Sequence, residues 1–320
     1  MSASTPTRTA LLFAFATIYL VWGSTYLAIR VAVETMPPFA MAATRFLIAG
    51  TLMGGVLLLR GAAWPTAKQW RDNTVVGLFL LLGGNGLVVW AEQSIPSGVA
   101  ALIIGVGPLF IVLIEWAWPG GTRPSATTLA ALLIGLFGVA WLAAPWESAS
   151  AGGLHAGGVI ALIFACAFWS FGSIVSRHAR NGATPLVAAA VQMIGGGAGL
   201  TIAALLHGDF ARLDLGAISP HAWGSFAYLI LFGSLVGYSA FAFLLKHSPP
   251  ARVATFAYVN PVVAVFLGWL LLDEPITPRT LVASAIIIAA VVIITLQKSK
   301  PKAATAPTTP LKPAVESVKA

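Results

Sequence analysis

The chain has 320 residues, of which 58% are hydrophobic and only 9% are charged, and its formal net charge is +8. A soluble domain carries about 25% charged residues, so this composition excludes a soluble globular protein. The Lys and Arg residues lie in short loops and in a C-terminal tail rather than in one patch, which argues against nucleic-acid binding. Long apolar runs separated by short polar breaks predict an all-α membrane protein.

The sequence lacks the motifs of enzymatic and cofactor chemistry. Cys166 is the single cysteine, which excludes a disulfide framework and a cysteine metal cluster. There is neither an HExxH motif nor a GxxxxGK[ST] phosphate-binding loop. We therefore expect no catalytic residue, no metal and no cofactor, and any pumping must use an ion gradient or exchange rather than ATP.

Ten segments are apolar and near the length of about 20 residues that crosses a bilayer. They are separated by turn residues, among them Pro37-Pro38 and Asn181-Gly182. The first segment is too long for a cleaved signal peptide, so we expect it to be retained. The predicted spans are 10–33, 39–59, 74–91, 97–118, 127–144, 154–176, 184–206, 222–245, 251–272 and 278–296.

Two of these spans repeat one spacing of proline, proline and tryptophan. The shared positions are Pro96, Pro108 and Trp116 in the fourth span and Pro249, Pro261 and Trp269 around the ninth. The first span also matches the sixth, where Gly23 and Ser24 align with Gly172 and Ser173. The chain is therefore predicted to contain two copies of one membrane unit.

The predicted repeats are residues 10–144 and 154–296, each with five spans. Because five is an odd number, the second copy starts on the opposite side of the membrane, and the copies form inverted repeats. Residues 1–9 are predicted to be a cytoplasmic N-terminus and residues 297–320 a disordered basic cytoplasmic tail.

The distribution of basic residues predicts the orientation. With ten spans, only Arg30, Arg212 and Arg279 fall in the loops of one side, while Arg45 lies inside a span. All the other Lys and Arg residues fall on the opposite side, which the positive-inside rule assigns to the cytoplasm. Both termini are therefore predicted to be cytoplasmic.

Four segments resemble a known family. WGSTYLAIR in the first span, PPFAMAATRFLIAG in the second, PSGVAALIIGVGPLF in the fourth and AYVNPVVAVFLGWLLLDEP in the ninth are similar to the EamA type of the drug/metabolite transporter superfamily. The resemblance covers residues 10–296. It implies a ten-helix transporter of a bacterial inner membrane with a central cavity.

The resemblance implies secondary-active transport by alternating access, with export of small metabolites, amino acids or drug-like compounds. Uptake or exchange by the same fold is an alternative, and a non-transporting membrane scaffold is an alternative from another class. The expected partners are a small-molecule substrate, the lipid bilayer and a coupling proton. The sequence leaves the substrate, the direction, the coupling ion and the oligomeric state open.

Arg45 is the one full charge well inside a span. An intramembrane arginine is costly, so it is expected to face a cavity or a partner. One hypothesis is that it binds a carboxylate or phosphate of the substrate. The alternatives are a structural pair with Glu34 or Glu92, or a side chain that snorkels outward.

Polar and aromatic residues inside the spans are the other predicted substrate-binding residues. Buried amides need partners inside the bundle, and aromatic rings can stack on an organic substrate or cation. Helix packing is the alternative role for these residues. The set comprises Trp22, Ser24, Asn85, Trp169, Tyr238, Tyr258 and Asn260.

Pro108 and Pro261 lie inside predicted helices, where each removes a backbone hydrogen bond and kinks the axis. They are predicted hinges of the gates, and a static bend that shapes the cavity is the alternative. Glu92 and Glu115 are candidates for proton coupling. Because both lie near span ends, interfacial carboxylates are the alternative.

Overall fold

A computed structural model describes residues 7–121, 123–143, 154–179, 181–248, 250–253 and 255–298. Within these ranges the regular structure is entirely helical. The predicted tail, 297–320, lies outside the described residues apart from its first two positions. The first helix already begins at Arg8, inside the predicted N-terminal segment.

Ten helices are apolar enough to lie in a membrane. They are α1 Arg8–Ala32, α2 Pro38–Leu59, α3 Ala67–Ala91, α4 Ser97–Ala117, α5 Ala126–Ala143, α6 Ala156–His178, α7 Pro185–His207, α8 Pro220–Leu244, α9 Phe256–Leu272 and α10 Pro278–Lys298. In the described part of the chain, nine of them are also long enough to span a bilayer, and α9 is shorter.

The short length of α9 departs from the predicted span 251–272. A separate short helix, Pro250–Val253, precedes it, and α9 begins only at Phe256. Between them the Thr255 hydroxyl donates to the carbonyl of Arg252 at 2.6 Å. A side chain that bonds locally to the backbone competes with helix continuation. Beyond this break α9 continues through Pro261.

Two helices contain a π-helical segment, which the sequence patterns did not predict. In α3 it covers Leu78–Gly86 and in α8 it covers Leu229–Val236. A π-helical turn contains extra residues and shifts the hydrogen bonds of neighbouring carbonyls, and such turns are frequent at functional sites. By the spacing of the repeat, α3 and α8 are corresponding helices.

Helix α4 is interrupted next to Pro108, as the sequence predicts. Its two parts are Ser97–Ile104 and Gly107–Ala117. Side chains of α6 supply hydrogen bonds at the break, since Ser170 donates to the carbonyl of Gly107 at 3.1 Å and Cys166 to that of Ile103 at 3.4 Å. The kink is therefore held by a neighbouring helix.

The helices pack in a pattern of recurring pairs. Helix α2 packs along α7, α5 along α10, and α4 against α9. Helix α1 contacts α8 and α9, while α6 contacts α3 and α4. Small residues permit this close approach, as at Gly50, where an added Cβ would lie 2.8 Å from the Cβ of Met193.

Contacts between loops identify the two ends of the bundle. Arg30 at the end of α1 bonds to the carbonyls of Glu92 and Gln93 after α3. We call this the Glu92 end. At the opposite end, Glu115 of α4 pairs with Arg177 of α6 at 2.6 Å, and we call it the Glu115 end.

Candidate functional site

Trp22 and Tyr238, both predicted substrate-binding residues, meet between α1 and α8. Their rings are 5.7 Å apart in an edge-to-face arrangement, and Phe241 and Phe256 complete an aromatic cluster around the indole at 5.1 and 5.3 Å. Such tilted ring pairs stabilise by about 0.5–1.5 kcal/mol beyond their area burial. The cluster therefore places α8 and α9 against one side chain of α1.

The π-helical segment of α8 shapes the surroundings of Trp22. The indole Nε1 donates to the carbonyl of Gly233, inside this segment, at 3.2 Å. A Cβ at Gly237 would collide with the indole, so only glycine leaves room for this approach. The altered backbone and the glycine together bring the Trp22 ring onto the main chain of α8.

Arg45 lies beside the same π-helical segment. Its side chain is 3% exposed, its Nε donates to the hydroxyl of Ser234 at 3.1 Å, and its guanidinium carbon lies 4.6 Å from the centre of the Phe46 ring. The Nη1 atom is buried and has no hydrogen-bond partner among the described residues. The interior thus holds a guanidinium group with an unused donor.

The described part of the chain gives Arg45 no ion pair. Neither Glu34 nor Glu92 places a carboxylate oxygen within 4.0 Å of a guanidinium nitrogen. Arg45 therefore forms no close ion pair with Glu34 or Glu92 in this arrangement, although its charge interacts with that of Glu92 at longer range. Burial of the side chain also excludes snorkelling to the membrane surface.

Ser24, also a predicted substrate-binding residue, bonds to Tyr228, the last residue before the π-helical segment of α8. The two hydroxyl oxygens are 2.6 Å apart, and the serine also lies 2.7 Å from the carbonyl of Leu20 on its own helix. Ser24, Trp22 and Arg45 therefore all contact the π-helical segment of α8 or a residue adjoining it.

Helices α3 and α6 contain a related arrangement. Trp169 of α6 packs against Gly84 in the π-helical segment of α3, where an added Cβ would lie 3.0 Å from the indole. The next residue, Asn85, has a buried Oδ1 atom that finds no hydrogen-bond partner in the described part of the chain. Gly84 and Asn85 correspond by the repeat to Gly237 and Tyr238. Each half therefore places a tryptophan on a glycine that lies in or directly after a π-helical segment and precedes a polar residue.

Asn260 and Tyr258 lie where α9 meets α1. The side-chain amide nitrogen of Asn260 faces two backbone carbonyls and donates to those of Tyr19 and Phe256 at 3.3 Å each. Tyr258 lies beside Tyr19 and Thr255, and its side chain packs at the edge of the core. These contacts give Asn260 a helix-joining role, which matches the alternative of helix packing.

Glu92, a candidate for proton coupling, is buried completely in protein. It lies just beyond the last residue of α3, its exposure is 0%, and neither carboxyl oxygen has a partner among the described residues. Burial raises the pKa of this carboxyl well above its ordinary value. The charge of Glu274 acts in the same direction, and those of Arg30 and Arg45 oppose it. Glu115, by contrast, is paired with Arg177 near the surface.

Two carboxylates of the second half cap helices of the first half at the Glu92 end. Glu274 accepts the amides of Ser97 and Gly98 at 2.6 and 3.0 Å, at the start of α4. Asp209, which is fully buried, accepts the first amides of α2 in the same way, at 2.7 and 3.0 Å. Negative charge is favourable at a helix N-terminus, so both caps tie the halves together.

Two pockets of the described structure lie away from the predicted substrate-binding residues. One of about 430 Å³ is at the Glu92 end and is lined by Glu274, Arg279 and neighbouring residues. Another of about 220 Å³ lies between α2 and α7. None of the eight predicted substrate-binding residues lines either pocket. In this arrangement those residues are packed against protein.

Comparison with known proteins identifies the family. The model of the EamA-like transporter family matches the chain twice, over residues 8–144 and 156–296. The chain belongs to this family. It is therefore a multi-pass membrane transporter.

Curated relatives agree with this assignment. The chain is 36% identical over 287 residues to the uncharacterized inner membrane transporter YedA of Escherichia coli (strain K12), covering 88% of this chain and 89% of YedA. It is 26% identical to a probable amino-acid metabolite efflux pump of the same organism, covering 81% and 86% of the two chains. A solved crystal structure with 22% identity aligns with a TM-score of 0.62 over 91% of this chain and 98% of the other, which shows a shared fold.

Several residues of this transporter were missed in the sequence. Ser234 and Tyr228 contact predicted site residues, and Asp209 and Glu274 cap helices. The carboxylates precede or follow helix ends, where loop acids are common, so their position alone carried no signal. A glycine cluster around Asn85, GGNG, was the available sign of an irregular helix in α3.

Proposed function

We propose that the chain is a secondary-active transporter that works by alternating access between two inverted repeats of five membrane helices, residues 10–144 and 154–296. The packing supports this, because exchanging each helix of one half for its counterpart leaves the main set of contacts unchanged: α2 still packs on α7, α5 on α10 and α4 on α9. The paired π-helical segments in α3 and α8 support it as well. Inverted repeats are a common basis of alternating access.

In this proposal the Glu92 end faces outward and the Glu115 end faces the cytoplasm. The positive-inside count supports this orientation, which places both termini in the cytoplasm of a bacterial cell. The relative YedA is described as an inner membrane transporter, and we propose the same membrane here.

The main evidence for a substrate site is the buried guanidinium group of Arg45, whose Nη1 donor has no hydrogen-bond partner among the described residues. An unpaired charge inside a bundle costs several kcal/mol, so its presence argues for a ligand. We assign Arg45 to an anionic group of the substrate, a carboxylate or a phosphate. Trp22, Ser24 and Tyr238 surround the same π-helical segment, with Asn85, Trp169, Tyr258 and Asn260 as the remaining site residues.

The substrate in this proposal is a small metabolite, an amino acid or a drug-like compound, and export is the direction. The relative described as a probable amino-acid metabolite efflux pump supports both points. An ion gradient supplies the energy, and the proton is the proposed coupling ion. Pro108 and Pro261 are the proposed hinges, and the interruption of α4 beside Pro108 supports the first of them.

Transport by purified protein in lipid vesicles tests the proposal, with a panel of radiolabelled amino acids and organic acids and an imposed proton gradient. The wild type is expected to move at least one anionic or zwitterionic compound. If no compound moves under any gradient, the proposal fails and a scaffold is the better description.

Arg45→Gln tests the substrate site in the same vesicles. Loss of a charge-assisted hydrogen bond, about 1.5–3 kcal/mol, predicts a rate lower by one to two orders of magnitude. Arg71→Gln is the matched control, because the Arg71 side chain is 74% exposed. Equal rates in the two variants would overturn the role of Arg45.

A further inference from the structure

Glu92 is a buried acidic residue that the proposed substrate site does not use. Its side chain has 0% exposure, and both carboxyl oxygens lack a hydrogen-bond partner within the described ranges. An ionised carboxylate buried without partners carries a large desolvation cost, so a protein holds such a group as the neutral acid. In the closed arrangement of the Glu92 end, this carboxyl therefore carries a proton.

Charged and titratable groups of several elements interact electrostatically with Glu92. They are Tyr26 and Arg30 of α1, Arg45 of α2 and Glu274 before α10. The Cys166 thiol of α6 interacts with Tyr26. Arg30 does not bind the carboxyl, because its Nη1 is engaged with the backbone carbonyls of Glu92 and Gln93. The positive charges of Arg30 and Arg45 favour ionisation of Glu92, and the negative charge of Glu274 opposes it.

Glu274 is the neighbour through which ionisation of Glu92 acts. The Glu274 carboxylate accepts the first amides of α4. Gly268 leaves room for it, because a Cβ at this position would collide with the carboxylate. When Glu92 is ionised, its negative charge repels the Glu274 carboxylate from the first amides of α4. Protonated Glu92 leaves the cap in place, so proton binding and closure of the Glu92 end favour one another, as linkage requires.

We propose that Glu92 is a proton-binding site of the transport cycle, and that its protonation closes the Glu92 end by allowing Glu274 to cap α4. The inference rests on the proposed function, because it takes this end to be the outer gate. When the end opens, the O–H bond of Glu92 breaks and the proton passes to outside water. When a proton returns from that water to the carboxylate, the end closes. The pocket of about 430 Å³ that Glu274 lines lies on this side.

The single cysteine makes the gate measurable without a substrate. Cys166 is 1% exposed and its thiol contacts the carbonyl of Ile103 in the first part of α4. Release of α4 uncovers the thiol to N-ethylmaleimide. The rate of alkylation in membrane vesicles therefore reports opening, and no cysteine has to be removed or introduced.

The expected result is a pH profile that depends on Glu92. Because the closed end binds one more proton than the open end, the opening equilibrium rises by up to about tenfold per pH unit between the pKa of Glu92 in the open state and its higher pKa in the closed state, and it levels off above the latter. Glu92→Gln mimics the neutral acid and is expected to stay closed at every pH. The ratio of the wild-type rate to the Glu92→Gln rate cancels the pH dependence of the thiol itself. Glu115→Gln is the control and keeps the wild-type slope.

A ratio that does not change with pH would overturn the inference. If Glu92→Gln is not recovered as folded protein, Glu92→Asp is used instead. If the pH profile of Cys166 alkylation in Glu92→Asp is not shifted along the pH axis relative to the wild type, the inference is also overturned. Infrared spectra of the wild type should also show the carbonyl band of a protonated acid, which Glu92→Gln loses. Vesicles that transport but show no pH-dependent labelling refute this inference alone, whereas pH-dependent labelling without transport of any compound refutes the proposed function alone.

Discussion

Replacing Glu274 by glutamine tests whether the cap on α4 holds the Glu92 end closed. The carboxylate accepts the amides of Ser97 and Gly98 at 2.6 and 3.0 Å. Glutamine keeps the shape and one acceptor oxygen but loses the charge and turns an NH₂ group toward one of the two donors. The substitution therefore removes one bond and weakens the other without creating a cavity.

The magnitude follows from these two bonds. Hydrogen bonds to a charged group contribute about 1.5–3 kcal/mol, and a neutral one about 1 kcal/mol. Because the Glu274 side chain is half-buried, solvent screening reduces the charged contribution. The expected net loss is about 2 kcal/mol, which is about 30-fold in an opening equilibrium.

Alkylation of Cys166 by N-ethylmaleimide is the assay, at fixed pH and in membrane vesicles. Glu274→Gln is expected to raise the rate by about 30-fold if opening precedes labelling. Asp273→Asn is the matched control, because Asp273 is an exposed acid of the same loop and its backbone has a positive φ of 52° that asparagine also tolerates. If both variants label at the wild-type rate, the cap does not hold the gate.

Three further substitutions test other contacts through the free energy of unfolding in mixed detergent micelles. Asp209→Asn removes the charge from a buried cap on α2 and should cost about 2–3 kcal/mol; an unchanged stability would contradict the cap. Gly237→Ala forces a Cβ against the Trp22 ring and should cost about 1–3 kcal/mol, with a change in tryptophan fluorescence as a second readout. Ser170→Ala removes the hydrogen bond to Gly107 at the break of α4 and should cost about 1 kcal/mol, whereas a more stable variant would show that the bond is strained.

The spans and their order could be predicted because they depend on local properties. Apolar length and turn residues mark a membrane helix wherever it later packs, and the repeat of Pro96 and Pro108 at Pro249 and Pro261 is visible without a structure. The limits of α9 could not be predicted, because the break before Phe256 depends on a hydroxyl bond at Thr255. Apolar composition is the same on either side of that break.

The site was predicted only in part. A buried charge at Arg45 follows from its place inside an apolar run, but its neighbours come from α8, far along the chain. A close ion pair with Glu34 or Glu92 could not be decided from the sequence, because sequence distance from a helix end does not tell which face a side chain occupies. The burial of Glu92 could not be predicted for the same reason, because it depends on α2 and α6, which pack against the end of α3.

By itself the sequence determined that this is a helical membrane protein built from a duplicated unit, because lipid demands long apolar helices and duplication preserves residue spacing. Tertiary structure alone decided where the helices become π-helical, which charge lacks a partner and which loop acid caps which helix. These features depend on contacts between distant segments, such as Arg45 and Ser234, which are 189 residues apart. Local sequence does not determine these contacts, because the same helices could pack together in several ways. Only the complete set of neighbouring helices selects one arrangement.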